Sequence, residues 1–170
     1  MAFDPTRTLR GALAGSIGAA VWLAVQPLDR RVFAVDHDDA ELLGRLVARG
    51  RPEAQAIGTA LHIQNGALFG ALYTQLAPSL PVHPALRGPL VALLEHLATW
   101  PLTAVVEPSL FRSGRAFAQS AWRHLVFGVV TGELERRLNP PAADLEPVDE
   151  AAVASNGHGS AAHLVASGPR

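Results

Sequence analysis

Apolar residues in this chain come in four long blocks rather than in alternating stripes. No Asp, Glu, Lys or Arg falls between Arg10 and Asp29, and none falls in the 33 residues between Glu53 and Arg87. A helix facing water carries a polar face along its whole length, and a 33-residue stretch without a charge offers none. Lipid as the solvent accounts for the gap. A hydrocarbon core of about 30 Å needs roughly 20 apolar helical residues, which predicts spans near 10–28, 54–77, 86–106 and 116–136. The first block follows Arg7 and Arg10 as a signal peptide would, but no small-residue cleavage site follows it and further apolar blocks do, so a retained span is expected. In the first loop, Leu42, Leu43, Leu46 and Val47 share one helical face, with Asp38, Glu41 and Arg45 turned away and Arg49 at the margin. That pattern suits a short helix in the membrane interface or a solvated helix capping the others. From residue 139 to 170 the chain is rich in Pro, Ala, Gly, Ser and acid without apolar period, and reads as a disordered tail behind a membrane domain at 1–138.

Composition agrees. Of the 170 residues, 49% are hydrophobic and 17% charged, against roughly 25% charged in soluble domains, and mean hydropathy is +0.19. All 14 basic residues are Arg and the net charge is −1, which leaves no field to gather nucleic acid. The absence of Cys excludes disulfides, thiolate metal sites and thiol nucleophiles. Four spans put both termini on one side. That side would hold Arg7, Arg10, Arg87, Arg136 and Arg137, the other Arg30, Arg31, Arg45, Arg49, Arg51, Arg112 and Arg115, a balance that sets no orientation.

Two blocks echo each other. HIQNGALFGAL from His62 and HLVFGVVTGEL from His124 both read His-x-x-x-Gly-x-x-x-Gly, at an offset of 62 residues. Arg-Gly opens the first and third blocks at Arg10 and Arg87, with a Trp twelve or thirteen residues on, an offset of 77 or 78. The pattern suggests a duplicated helical hairpin in parallel repeat. Chance likeness between Gly- and Ala-rich helices is the alternative, and geometry separates the two: repeat-related helices run parallel and hold His62 and His124 at one depth. Gly11 with Gly15, Gly66 with Gly70 and Gly128 with Gly132 are small-residue pairs one turn apart, suited to close helix packing. Trp22, Tyr73 and Trp100 are candidate interfacial anchors.

The spans also carry polar residues at depth. At about 1.5 Å per residue, His62, Asn65, Glu95, His96, Arg123 and His124 fall within about one turn of the midplane. A charge there costs about 2.5–3.5 kcal/mol even on a lenient scale, so these groups must face one another or water. Glu95 and Arg123, on consecutive antiparallel spans, form the natural pair, either as a register lock or as part of a working site. The three His either bond to carbonyls and hydroxyls or titrate and hold a ligand; Asn65 reads as an interhelical hydrogen-bonding group. There is no GxxxxGK[ST], GxGxxG, HExxH or GxSxG, and Glu95 and His96 are adjacent rather than in the Glu-x-x-His spacing of di-iron bundles. No catalytic residue, metal site or cofactor is therefore expected, and the chain is not read as an enzyme.

HIQNGALFGALYTQL, HLVFGVVTGEL, the polar third block LLEHLATWPL and the amphipathic stretch after the first block together resemble the small four-span bacterial inner-membrane proteins of the YagU type, a domain of unknown function. The resemblance covers roughly residues 8–137 and implies an all-α fold and a multi-pass place in the bacterial inner (plasma) membrane, with no established reaction. The expectation is thus an all-α four-helix transmembrane bundle whose midplane layer binds or relays a proton, ion or small ligand. A purely structural or partner-binding bundle is the alternative, and haem between two of the His is a third reading. The lipid bilayer is the expected partner, and self-association is left open.

Overall fold

The computed structural model describes residues 4–140, and these are helical throughout, with no strand among them. The elements are α1 (Pro5–Phe33), α2 (Asp39–Ala48), α3 (Ala54–Leu76) with a 3₁₀ turn at Ala77–Ser79, α4 (Pro84–Val106), α5 (Pro108–Phe111) and α6 (Gly114–Leu138). Local chemistry sets several ends. The Asp4 carboxylate accepts the Arg7 N–H at 3.0 Å with Pro5 at the first helical position, Asp38 caps α2 through the Glu41 N–H, and Ser113 caps α6 through the Ala116 N–H. α1 runs past Pro27 and stops where Ala34 turns left-handed, at φ 52°.

Glycine seams order the long helices. Gly11 lies on Gly70 and Gly15 on Gly66, so α1 and α3 are antiparallel, and a Cβ added at Gly15 would collide with the Gly66 carbonyl. On the other pair, Gly88 lies against Gly132 and Ala92 against Gly128. Offsets of 77 and 62 residues turn the first set of contacts into the second. α1 also runs antiparallel to α6, from Arg7 beside Glu135 to Asp29 beside Gln119, so α3 and α6 run the same way.

Polarity is inverted. The largest fully buried side chains are Arg123, Tyr73, His96, Gln119, Thr74, Thr131 and Asp29, whereas the apolar core is chiefly alanine with Trp22, Tyr73 and Phe127. Leu68, Leu72, Leu94 and Leu97 are all more than half exposed. α1 and α4 are long and apolar enough to cross a membrane, each with a mean hydropathy of 1.4 over an 18-residue window. α3 and α6 do not reach that level, because residues such as His62, Asn65, Gln119 and Arg123 lower their averages.

Four expectations change here. α2 packs through its small residues, Ala40 and Gly44 lying on Gly58 and Ala54 of α3. It therefore stands antiparallel beside α3, with Leu46 and Val47 exposed instead of the leucine face turning inward. Small-residue contact lets two backbones meet, which leucines would prevent. Trp22 and Tyr73 are buried, at 6% and 2% exposure, rather than interfacial; only Trp100 stays half-buried. α1 is longer at both ends than the 10–28 span, since hydropathy marks the apolar stretch and not the caps. Asn139, placed at the start of the tail, is 8% exposed and donates to Thr74 Oγ1 at 3.2 Å; the rest of that tail, from residue 141, lies outside the described residues.

Candidate functional site

The six residues of the expected midplane layer divide between two places. Arg123 belongs to a closed polar knot. Its guanidinium, fully buried, grips Asp29 in a fork (Nε to Oδ2 2.7 Å, Nη2 to Oδ1 2.6 Å), donates from Nη1 to Asp39 Oδ2 at 2.5 Å and from Nη2 to the His37 carbonyl at 3.0 Å. Gln119 donates to Asp29 Oδ1 at 2.8 Å and to the Val35 carbonyl at 3.1 Å. Residues 34–38 double back after α1, so Asp39 at the head of α2 reaches Trp22, about three turns back along α1, and accepts its indole N–H at 3.1 Å. Burial pushes the Asp39 carboxyl up, but the hydrogen bond and charge of His37 and the Arg123 guanidinium outweigh it and hold Asp39 well below the usual carboxylate range. The expected Glu95–Arg123 pair is therefore not formed. Helical side chains lean toward their own N-terminus, and that lean carries Arg123 away from α4 toward the end of α1.

Glu95, His96, His124 and His62 surround a cavity of about 380 Å3. His124 Nδ1 lies 2.7 Å from the Ser120 carbonyl oxygen, and its Nε2 lies 3.0 Å from Glu95 Oε2. A carbonyl only accepts, so Nδ1 carries a hydrogen. The contact between Nε2 and the carboxylate then needs one further proton, held by the imidazole or by Glu95. His96 Nδ1 meets Ser120 Oγ at 3.2 Å, while the Nε2 atoms of His96 and His62, buried at 1% and 9% exposure, have no hydrogen-bond partner among the described residues. Trp22 stands between His62 and His124, with ring centroids 5.1 and 4.5 Å away, which puts the two imidazoles in one layer as a parallel repeat requires. Phe69 and Phe127, 4.8 Å apart, lie against the cavity on the side away from α2.

Asn65 lines the cavity but is exposed, and it makes no interhelical hydrogen bond among the described residues. Gly11, Gly15, Gly66, Gly70, Gly128 and Gly132 are all buried in the seams. The His96 and His124 rings, 4.7 Å apart, leave no room for a haem plane between them. No group of three or more His, Asp or Glu among the described residues is arranged to hold a metal ion. Sequence reasoning missed Asp29, His37 and Asp39, which it placed beyond the spans, and a second knot in which Glu135 Oε1 accepts from Arg7 Nη2 at 3.0 Å and Thr74 Oγ1 at 2.6 Å. The available signal was spacing: Asp29 and Arg7 flank one apolar block at the depths where α6 carries Arg123 and Glu135.

No family model matches the chain, and neither a curated protein nor a solved structure does.

Proposed function

We propose that this is a multi-pass protein of the bacterial inner membrane, with α1, α3, α4 and α6 as four spans of a bundle built from a duplicated helical hairpin, and that its His cavity holds a labile proton or small ligand. Support for the membrane setting comes from polarity: arginine, aspartate and glutamine inside with leucine outside suits a protein whose solvent is hydrocarbon. Support for the duplication comes from the matching glycine contacts and from the placing of both imidazoles against Trp22. Alkaline carbonate washing tests the setting, which fails if monodisperse protein is released without detergent.

The observation that carries the functional reading is the one-proton contact between His124 Nε2 and Glu95 Oε2. A structural ion pair in a bundle is sealed, as the Arg123 knot is, whereas the Glu95 side chain is 41% exposed and lines a cavity. The protein thus takes up and releases a proton at this pair, in the range of about pH 5–8 where histidines respond, without performing a reaction of its own. The YagU-type resemblance is compatible with this reading and adds no chemistry to it. Difference infrared spectroscopy in lipid across that pH range provides the test. Wild type should exchange a carboxylate band for a protonated carboxyl band, and Glu95→Gln should remove both. Equal proton uptake by wild type, Glu95→Gln and His124→Gln would defeat the reading.

A further inference from the structure

Beyond the proton pair, the cavity has the shape and lining of a site for an organic molecule. Its volume of about 380 Å3 lies within the ~300–1,000 Å3 of small-molecule sites. One wall is a row of rings in contact, Trp22, His124, His96 and Trp100, with successive centroids 4.5, 4.7 and 5.5 Å apart. Glu95 lines the same cavity at His124. The charged groups in the lining are acids: Asp39, whose charge is engaged by Arg123, and Glu95, whose partner is a titratable imidazole; no arginine lines it. Apolar residues of α2 and α4, among them Leu42, Leu46, Leu102 and Val106, make up the opposite side.

A second cavity adjoins the first through shared His37 and Leu42, and its lining includes Asp36, Asp38, Glu41 and Glu107. Arg45 also lines it and Arg30 pairs with Asp36 and Asp38, so four carboxylates stand against two guanidiniums. An anion meets repulsion at this mouth and finds no guanidinium within the inner cavity. A neutral apolar molecule leaves Glu95 and the unpaired His62 and His96 nitrogens unanswered. A cation with an apolar body answers each feature: charge to Glu95, π-faces of tryptophan beneath the cation, N–H groups as donors for open imidazole nitrogens, and leucines around the body.

We infer that the His cavity binds a small amphipathic amine in its ammonium form, held against the Trp22–Trp100 wall and countered by Glu95. The inference rests on the reading of this cavity as the working site and names its ligand class. Proton and ammonium then compete at Glu95. The titratable or charged groups facing that carboxylate across the cavity are His124 of α6, His96 of its own helix, His62 of α3, and the His37–Asp39 pair at the head of α2, while α1 contributes only Trp22.

The full chain in phosphatidylglycerol nanodiscs, titrated with 2-phenylethylammonium and followed by tryptophan fluorescence, provides the test, since Trp22 and Trp100 line the cavity. Saturable binding is expected, about tenfold or more weaker for 2-phenylethanol and for 3-phenylpropionate, and weakened by a similar factor in Glu95→Gln. Trp100→Leu, on the half-buried end of the wall, should lose several-fold in affinity and serves if Glu95→Gln does not fold. Displacement of the probe by added phosphatidylethanolamine identifies a lipid headgroup as the source of the cation; no displacement identifies a free amine, and both keep the inference. Equal affinity for 3-phenylpropionate, or unchanged affinity in both variants, overturns it. If the infrared bands of Glu95 still titrate in wild type while no amine binds, this inference alone falls and the proton-binding reading stands.

Discussion

The Arg123 knot and the His cavity are neighbours built from the same kinds of side chain, yet they are finished differently. In the knot, the guanidinium of Arg123 is spent on Asp29, Asp39 and the His37 carbonyl, and the group is closed to solvent except at the edge of Asp39. In the cavity, two imidazole nitrogens have no partner, and one proton is shared between His124 and a half-exposed carboxylate. Saturated polar groups fix a geometry because any change leaves a buried charge alone. Unsaturated ones at a cavity are free to accept something from outside. The contrast separates a structural device from a working site within a single layer that depth alone had merged.

The largest effect expected is at the knot. Arg123→Met leaves Asp29 buried without its partner and should cost about 3–5 kcal/mol in a detergent unfolding titration. The triple replacement Arg123→Met, Asp29→Leu, Asp39→Asn should recover much of that, and no recovery would mean that the knot does more than hold helices. Next comes Glu135→Leu at the far end of α1, which strands Arg7 and Thr74 and should cost about 1–3 kcal/mol. Gly15→Val should cost a comparable ~1–3 kcal/mol by forcing α1 off α3. Gly114→Ala, where nothing lies within 4 Å of an added Cβ, should be neutral within about 0.5 kcal/mol.

Asp39 sharpens the comparison through pH. Its folded pKa lies below the unfolded value of about 3.9. Its contribution is therefore fully present above that value and lost as pH falls through the folded one. Melting temperature should be insensitive to Asp39 ionisation at neutral pH and drop only in strong acid, and Asp39→Asn should flatten that acid limb. The smallest stability effect is expected in the cavity: His96→Phe gives up one hydrogen bond to Ser120 and should cost no more than about 1 kcal/mol while altering proton uptake. A loss as large as that of Arg123→Met would erase the distinction between knot and cavity.

Much of this was legible beforehand. The spans expected at 54–77, 86–106 and 116–136 meet α3, α4 and α6 within about two residues, because apolar length and the caps at Ser113 and Pro84 mark helix ends directly. The repeat was legible because Gly-x-x-x-Gly is a local pattern with a fixed face. The Arg123 partner was not, since depth counted along a helix says nothing of the direction in which a long side chain leans. Nor was the role of residues 34–38: their doubling back depends on where Trp22 and Arg123 await Asp39, a tertiary fact absent from any local window.

Both knots also impose an order on biosynthesis. Asp29 is separated from Arg123 by 94 residues and Arg7 from Glu135 by 128, and in each case the second partner belongs to α6, the last helix to leave the ribosome. Until α6 arrives, α1 has its glycine seam with α3 but neither of its ionic contacts, and Asp29 must stay near the water-facing edge. The final helix thus acts as a latch: a chain interrupted before Gly114 carries an unanswered acid at one end of α1 and an unanswered base at the other, which marks it as incomplete to any protease that samples membrane proteins for exposed charge.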